Sequence, residues 1–239
     1  MKILLTNDDG YLSEGIIDLY QELTHYGEVF MVAPKEVQSA KSVAITCFRS
    51  IAILKQDEHH YVVEGTPADC VVFGLSEIPG IDLIVSGCNN SPNVGVDTIY
   101  SGTCAACTQS LIANIPAIAF SCSDLRSFDQ VKKYTRKVMD YIFSKNILST
   151  NYFLNVNFPK STFKEDKGIL ITKLHYQHIK YFTKSYSNGE WFSGRVIDED
   201  IQDITYDFGA FNNGYISITP MSRNIFDEGI YQELLKEAK

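Results

Sequence analysis

The sequence has no apolar run long enough to cross a membrane and no excess of basic residues. No stretch approaches the ~20 consecutive apolar residues of a transmembrane helix, so we expect no membrane partner. The 21 Lys and Arg residues are outnumbered by 29 Asp and Glu residues, which gives a net charge of -8. Proteins that grip nucleic-acid backbones carry a basic face. We therefore expect a small anionic substrate and no nucleic-acid polymer.

Several catalytic motifs are also missing. There is no Gly-Lys-Ser/Thr phosphate loop, which excludes a P-loop NTPase, and no Gly-x-Ser-x-Gly nucleophile elbow. Gly10 and Gly15 are not spaced as in a dinucleotide-binding fingerprint, and the neighbouring carboxylates would repel a bare pyrophosphate. The five histidines have no spacing that completes a zinc site with the cysteines.

The N-terminus and the cysteines indicate an intracellular protein rather than a secreted one. Only a three-residue apolar run precedes the carboxylates of Asp8 and Asp9, which is too short for a signal peptide. We therefore expect a cytoplasmic protein whose six cysteines are free, buried thiols. Cys104 and Cys107 have the spacing of a redox pair, but the small residues between them favour close helix packing instead.

The most informative segment that is present lies at the start of the chain. The apolar run Lys2–Thr6 leads directly into Asn7-Asp8-Asp9-Gly10, which predicts a buried strand with two carboxylates at its tip. Ligands of open α/β sheets bind beyond the carboxyl ends of the strands, and a cation between two carboxylates relieves their repulsion. An ordinary Asp-Asp-Gly surface turn is the alternative.

Alternating strand and helix patterns predict an α/β fold. A helix from Ser13 with a stop at Gly27 precedes a strand at 28–33, and such a strand–helix–strand unit implies a parallel sheet covered by helices. Further strands are predicted at 43–54, 60–64, 82–86, 117–120, 151–158, 168–172 and 214–220, and helices at 67–75, 101–114, 127–145 and 224–237.

We expect one domain over 1–239. Its architecture would be three-layered and Rossmann-like, with a mostly parallel sheet and a β-rich C-terminal excursion. The excursion is placed at 174–212, where Ser187-Asn188-Gly189-Glu190 is typical of a hairpin turn.

Three loops at the predicted strand tips, at 7–10, 34–42 and 86–103, are rich in side chains with oxygen atoms that could bind a cation. Hard cations such as Mg²⁺ or Mn²⁺ take oxygen ligands, whereas zinc prefers nitrogen and sulfur. The asparagines of the third loop are also ordinary turn formers. The donors are Asp8, Asp9, Ser39, Asn89, Asn93, Asp97, Ser101 and Thr103.

The segment Tyr100-Ser101-Gly102-Thr103 begins a predicted helix with small and hydroxyl-bearing residues. Free backbone N–H groups and the helix dipole favour an anion at such a position. A plain N-cap by Ser101 is the alternative. If this helix and the carboxylate pair share one crevice, a metal ion there could polarise a phosphoryl group while the N–H groups hold its oxygens.

The ordered motifs of the chain resemble those of the SurE family of metal-dependent nucleotide phosphatases. The resemblance spans nearly the whole chain. The matching segments are Ile3–Gly10, Val32-Ala33-Pro34 leading to Ser39, Gly65–Cys70, Val85–Asn89, Pro92–Gly95, Asp97, Tyr100–Thr103, Leu154–Pro159 and Gly214–Pro220.

The resemblance implies a site and an activity. One divalent ion, Mg²⁺ or Mn²⁺, would be held by Asp8, Asp9, Ser39 and Asn89, with Asp8 and Asp9 as catalytic residues. Phosphate would contact Asn93 and the helix start at Ser101, Gly102 and Thr103. The implied activity is the release of phosphate from nucleoside 5′- and 3′-monophosphates, in a homodimer or homotetramer that exchanges C-terminal elements.

The chain departs from the family pattern at a few positions near this site. Ala40 stands where a glycine is usual, Val43 where an asparagine is usual, and Ser91 where a glycine is usual; Gln109-Ser110 replaces Glu-Gly. The presumed ligands are all present, so we expect activity. A catalytically weak nucleotide-binding or regulatory protein on the same fold is the first alternative, and an interaction scaffold with solvated polar loops is the second.

Overall fold

A computed structural model describes residues 1–123, 128–176, 179–186, 189, 191–197, 201–224, 226 and 228–237. The strands are β1 (Lys2–Thr6), β2 (Glu28–Pro34), β3 (Ile53–Lys55), β4 (His60–Val63), β5 (Leu83–Asn89), β6 (Ala117–Ser121), β7 (Tyr152–Asn157), β8 (Ile169–Ile171), β9 (Ile179–Ser185), β10 (Trp191–Ile197) and β11 (Ile216–Ser222). The helices are α1 (Glu14–Leu23), α2 (Pro67–Glu77), α3 (Asp97–Tyr100), α4 (Gly102–Ile112), α5 (Asp129–Lys145), α6 (Asp207–Asn212) and α7 (Glu228–Glu237).

The centre of the fold is a nine-stranded sheet with the order β3-β4-β2-β1-β5-β6-β7-β11-β8. Adjacent strands of the sheet are parallel, except for the antiparallel pairs β3–β4 and β7–β11. The carboxyl ends of β1, β2 and β5 therefore lie next to one another at the same edge. The predicted mostly parallel α/β architecture is confirmed.

Helices cover both faces of the sheet because its central strands are apolar on both sides. Successive side chains of a strand point to opposite faces. Ile3 and Leu5 of β1 pack into the core formed with α1 and α5, whereas Leu4 packs into the core formed with α2 and α4. The layers are close: a Cβ on Gly74 of α2 would lie 2.1 Å from Leu4 Cδ1.

Helix α2 begins with a capping box that also holds a neighbouring loop. The Thr66 hydroxyl accepts from the backbone N–H of Asp69, and the Asp69 carboxylate accepts from the backbone N–H of Thr66. Asp69 further accepts hydrogen bonds of 2.8 and 2.7 Å from the backbone N–H and the hydroxyl of Thr46. This carboxylate fixes the course of the loop that follows β2.

The predicted strand at 43–54 is wrong over most of its length, since only Ile53–Lys55 is a strand. Phe48, inside the predicted strand, has a φ angle of 62°, which lies in the left-handed region and breaks an extended run. Ala40 and Ser42, just before it, have left-handed φ angles of 57° and 51°. The large apolar residues Val43, Ile45 and Phe48 of the predicted strand are exposed. Residues 40–48 form a loop instead, and the backbone N–H of Ser42 donates to the carbonyl of Tyr100.

The C-terminal excursion contains a separate two-stranded antiparallel sheet, in which Ser185 of β9 is opposite Trp191 of β10. Of the predicted hairpin turn, Ser187, Asn188 and Glu190 lie outside the described residues. Helix α7 carries an apolar face with Tyr231, Leu234 and Leu235 exposed. Within the described ranges, no helix is long and apolar enough to cross a membrane.

All six cysteines are free, as predicted. Five of them are buried, but Cys47 is exposed, because it belongs to the loop that was expected to be a strand. The sulfur atoms of Cys88 and Cys122 lie 3.1 Å apart in the core. Burial raises the pKa of the Cys104 thiol to about 12, which makes it a poor nucleophile and argues against the redox reading of Cys104 and Cys107.

Candidate functional site

Three of the predicted metal ligands meet in one polar pocket of about 190 Å³. Asp8 follows β1, Ser39 follows β2 and Asn89 ends β5, so the pocket lies beyond the carboxyl ends of three neighbouring strands. Asn93 and Ser101, both predicted to contact phosphate, also line it. The remaining lining residues are Ala40, Asn90, Ser91, Pro92, Asp97 and Tyr100.

Asp8 is buried and is held by the start of α4. The Thr103 hydroxyl donates to Asp8 Oδ1 across 2.5 Å. A Cβ on Gly102 would lie 2.7 Å from Asp8 Cβ, so only glycine lets the helix approach this closely. Burial raises the pKa of Asp8, and the hydrogen bond from Thr103 opposes that rise. The carboxylate is thus fixed in place by the predicted phosphate-binding helix.

Asp9 is not among the residues that line the pocket, and its carboxylate is held by Asn90, which does line it. The backbone N–H of Asn90 donates to Asp9 Oδ2 at 3.0 Å, and its side-chain amide donates to Oδ1 at 2.9 Å. Burial and the charge of Asp8 together raise the pKa of Asp9 to about 6, against a hydrogen bond from Asn90. Two carboxylates therefore repel each other at this edge, and within the described residues neither forms an ion pair with a basic side chain.

Asn89 and Ser39 complete the oxygen set from the two neighbouring strand ends. The amide nitrogen of Asn89 donates to the carbonyl of Ser91 at 2.7 Å, which leaves its carbonyl oxygen as the atom available for a ligand. Ser39 is exposed at the pocket mouth. Its loop is tied to the first loop by a hydrogen bond from the backbone N–H of Gln38 to the carbonyl of Asp8.

The start of α4 is a capped helix terminus as well as a wall of the pocket. Ser101 is its N-cap, and its hydroxyl accepts from the backbone N–H of Cys104 at 3.1 Å. The backbone N–H groups of Gly102 and Thr103 lower the pKa of Asp8, so they act on that carboxylate. Gly102 and Thr103 therefore lie behind Asp8, and Ser101 is the member of this segment that lines the pocket.

Asn93 is held from outside its own loop. Its backbone N–H and carbonyl bond to the side-chain amide of Asn157, and its side-chain amide donates to the Ser121 hydroxyl at 2.8 Å. Farther along the same loop, the backbone N–H of Gly95 donates to Asp207 at 2.7 Å. The predicted phosphate-contacting residue thus has a fixed backbone in the pocket wall.

Sequence reasoning missed these outer partners. Asn155 and Asn157 belong to a matched segment, but the sequence analysis gave them no role. A usable signal was present, since two asparagines at alternate positions of an otherwise apolar strand point to one face and need partners there. Asp207, from the C-terminal excursion, left no comparable signal.

A second pocket, of about 580 Å³, lies beside the β3–β4 edge of the sheet. Its walls are mostly apolar and include Tyr11, Ile53 and Leu54, with Lys35 and Glu64 forming an ion pair at its side. None of the predicted ligands or phosphate contacts lines it. The chemistry of the smaller polar pocket therefore makes that pocket the candidate site.

The smaller pocket suits a hard divalent cation. In the part of the chain that the structure describes, no three His, Cys, Asp or Glu side chains cluster as a metal site. The predicted donors are instead oxygens: the Asp8 carboxylate, the Asn89 amide oxygen and the Ser39 hydroxyl line the pocket, and the Asp9 carboxylate is bonded to the lining residue Asn90. Oxygen donors fit Mg²⁺ or Mn²⁺ better than zinc. The unrelieved repulsion between Asp8 and Asp9 is the feature that a cation would remove.

Comparisons with known proteins identify relatives over nearly the whole chain. The family model described as "Survival protein SurE" matches residues 3–181. The 5′-nucleotidase SurE of Syntrophomonas wolfei is 34% identical over 250 residues, which cover 99% of this chain and 94% of that protein. The 5′-nucleotidase SurE of Nitrosomonas eutropha is 37% identical over 232 residues, or 92% of each protein. The crystal structure of the SurE protein from Aquifex aeolicus matches with a TM-score of 0.88 at 31% identity and covers 100% of both chains.

Proposed function

This chain belongs to the SurE family, and from that premise we propose that it is a 5′-nucleotidase. It hydrolyses nucleoside 5′- and 3′-monophosphates to nucleoside and phosphate. Its relatives from Syntrophomonas wolfei and Nitrosomonas eutropha carry the name 5′-nucleotidase SurE. The observation that carries the proposal to this chain is the convergence of Asp8, Ser39 and Asn89 on one polar pocket.

The proposed cofactor is one Mg²⁺ or Mn²⁺ ion held by Asp8, Asp9, Ser39 and Asn89. When bound, such an ion polarises a phosphoryl oxygen and acidifies water. Asn89 supports this assignment because its amide nitrogen is engaged by Ser91 and its carbonyl oxygen is left for a cation. Thr103 and Asn90 hold the two carboxylates in place before substrate arrives.

The carboxylates also carry the proposed proton chemistry. Asp8 or Asp9 positions the attacking water and accepts its proton, as a general base does. We favour water over an aspartate as the attacking group because Asp8 and Asp9 are adjacent in the chain, unlike the spaced Asp-x-Asp of aspartyl-nucleophile phosphatases. The leaving group is the alkoxide of the ribose, which takes up the proton that the carboxylate accepted from water, so the nucleoside is released and the carboxylate is regenerated.

Phosphate binding is assigned to Asn93 and to the helix start at Ser101, Gly102 and Thr103. Asn93 and Ser101 line the pocket directly. Gly102 and Thr103 act through Asp8, and the positive end of the α4 dipole stabilises the negative charge gathered there.

The proposed assembly is a homodimer or a homotetramer. Helix α7 leaves Tyr231, Leu234 and Leu235 exposed on one apolar face, and such a face is typical of a contact between chains. The β9–β10 sheet of the excursion is the second candidate contact. The cytoplasmic location stays a prediction from the sequence.

A phosphate-release assay tests the proposed function. Nucleoside 5′- and 3′-monophosphates are incubated with the purified protein in EDTA, and then with Mg²⁺ or Mn²⁺ in excess. We expect release only when a divalent ion is present, and rates that differ among the bases. Nucleotide binding without release at any metal concentration would instead support the regulatory alternative.

A further inference from the structure

Asn93 is bound on three sides by residues of two other strands. Its backbone N–H donates to Asn157 Oδ1 at 2.8 Å. Its carbonyl accepts from Asn155 Nδ2 at 2.8 Å and from Asn157 Nδ2 at 3.0 Å. Its side-chain amide donates to Ser121 Oγ at 2.8 Å. Asn93 is only 5% exposed and Asn155, Asn157 and Ser121 are fully buried, so water does not compete for these bonds.

The register of the sheet explains why these three residues act together. In the parallel β6–β7 pair, Ser121 is opposite Asn157. Asn155 lies two residues before Asn157, so all three side chains point to one face near the carboxyl ends of their strands. This is the edge at which Asp8 and Asn89 line the pocket. Ser121, Asn155 and Asn157 therefore lie at the sheet edge beneath the pocket and support its wall at Asn93.

Asn155 also connects this group to the helix that fixes Asp8. The Sγ of Cys104 donates to Asn155 Oδ1 at 3.7 Å, while Asn155 Nδ2 donates to the carbonyl of Asn93. One buried amide therefore joins the first turn of α4 to the loop that carries Asn93. A shift of either element changes the distance between Ser101 and Asn93 across the pocket.

Ser121 has a further property because a serine hydroxyl both donates and accepts. With the Asn93 amide nitrogen directed to Ser121, the amide oxygen is the atom left for the pocket. A 180° rotation of that amide would keep the bond, with Ser121 now donating, and would present the NH₂ group to the pocket. An NH₂ group is what a phosphate oxygen requires, whereas a carbonyl oxygen would repel it.

We propose that Ser121, Asn155 and Asn157 are positioning residues that hold Asn93 for phosphate binding, and that Ser121 permits its amide to present NH₂ to the phosphate. The inference rests on the proposed function for the identity of the substrate. Asn155 and Asn157 fix the backbone of Asn93, which leaves rotation of the side-chain amide as its remaining freedom. None of the three touches the reacting atoms.

The test compares two buried serines on opposite sides of Asn157. Ser121→Ala removes the partner of the Asn93 amide. Ser217→Ala is the matched control, because Ser217 is fully buried, is opposite Asn157 in β11, and has a hydroxyl without a partner among the described residues. Asn157→Asp is the second variant, since a carboxylate keeps the bond from the Asn93 N–H but cannot donate to its carbonyl.

Each protein is characterised by its melting temperature, by kcat and KM for a nucleoside monophosphate with Mg²⁺ or Mn²⁺, and by calorimetric titration with inorganic phosphate. For Ser121→Ala we expect the Kd of phosphate and the KM to rise about tenfold, with a smaller change in kcat, as for the loss of one hydrogen bond of about 1.4 kcal/mol. Asn157→Asp should raise the Kd of phosphate and the KM by at least the same factor. Ser217→Ala should stay within about twofold of wild type.

The outcomes separate this inference from the proposed function. A Kd of phosphate in Ser121→Ala that matches the value in Ser217→Ala overturns the inference, whatever the activity of the wild type. An inactive wild-type protein that binds phosphate, and binds it more weakly as Ser121→Ala, overturns the proposed function alone. A wild-type protein that neither releases nor binds phosphate overturns both. If Asn157→Asp does not fold, the two serine variants decide the question.

Discussion

The Thr103 hydroxyl donates a hydrogen bond of 2.5 Å to Asp8 Oδ1, and it does so across 95 residues of sequence. The bond joins the tip of the first strand to the first turn of α4, and Gly102 lets the two approach closely. A predicted anion-binding helix start and a predicted metal ligand are thus in direct contact. The predictions below test what depends on that contact and on the loops around it.

Asp8→Asn should abolish phosphate release, with kcat/KM at least ~10³-fold below wild type. The amide has no negative charge for a cation and accepts through only one oxygen. The control is Asp82→Asn, since Asp82 is exposed and precedes β5 at the opposite edge of the sheet. That variant should keep wild-type activity. An Asp8→Asn enzyme within a few-fold of wild type would remove Asp8 from the site.

Gly102→Ala should damage activity more than stability. Its Cβ would lie 2.7 Å from Asp8 Cβ and 2.9 Å from Asp8 Oδ2, so the carboxylate has to move. Gly74→Ala is the matched control, because its Cβ would clash with Leu4 in the core and not with any site residue. We expect Gly74→Ala to lower the melting temperature while its folded fraction keeps normal kcat. Equal kcat in both alanine variants would contradict the role given to Gly102.

Ala40→Gly should stabilise the protein. Ala40 has a φ of 57°, in a region that costs a residue with a Cβ about 1–2 kcal/mol, whereas glycine loses about 0.4–1 kcal/mol more in chain entropy. The net gain is a melting temperature higher by up to ~4 °C. Ala113→Gly is the control of opposite sign, since Ala113 is exposed with a φ of -81°. A lower melting temperature for Ala40→Gly would show that the loop is not strained at this residue.

Without metal, the free energy of unfolding should decrease as the pH rises from ~4 to ~6. Burial and the charge of Asp8 raise the pKa of Asp9 from 3.8 to about 6 in the folded chain. The folded state therefore binds this proton more tightly than the unfolded state, and the free energy of unfolding decreases between pH ~4 and ~6. Chemical denaturation in EDTA should show this slope, and Asp9→Asn should flatten it.

Asp57 supplies the control for that slope. Hydrogen bonds from the backbone of His59 and the side chain of His60 lower the pKa of Asp57, so its contribution is present at neutral pH and is lost on acidification. Asp57→Asn should therefore leave the decrease between pH ~4 and ~6 in place. Added Mg²⁺ or Mn²⁺ should raise the melting temperature more at pH 7.5 than at pH 5, because protons compete with the cation for Asp9.

The sequence was sufficient to place Asp8, Ser39 and Asn89 at one edge of the sheet. Each follows or ends an apolar strand, and parallel strands direct their carboxyl ends to the same side. What the sequence could not supply is the position of α4 over that edge. The contact between Thr103 and Asp8 depends on where the helix packs, and no local pattern encodes that distance.

The error at 43–54 has a different cause. Val43, Ala44 and Ile45 form a short apolar run of the kind found in strands, yet Val43 and Ile45 are 44% and 48% exposed. An apolar run indicates which side chains could be buried, but it does not reveal a left-handed φ at a residue other than glycine. Ala40, Ser42 and Phe48 all adopt one, and the acceptors that hold the loop, the Tyr100 carbonyl and the Asp69 carboxylate, belong to distant segments.

The long sequence separations within the site determine when its contacts can form during synthesis of the chain on the ribosome. Asp8 is synthesised early, and its partner Thr103 follows 95 residues later. Asn157 follows its own partner, Asn93, by 64 residues. At synthesis rates of about 5–20 residues per second, the first interval alone lasts about 5–20 s. Throughout that time Asp8 lacks helix α4, whose first turn holds its carboxylate in the finished protein. The contacts that hold Asn93 in the pocket wall therefore cannot form until the seventh strand has been made.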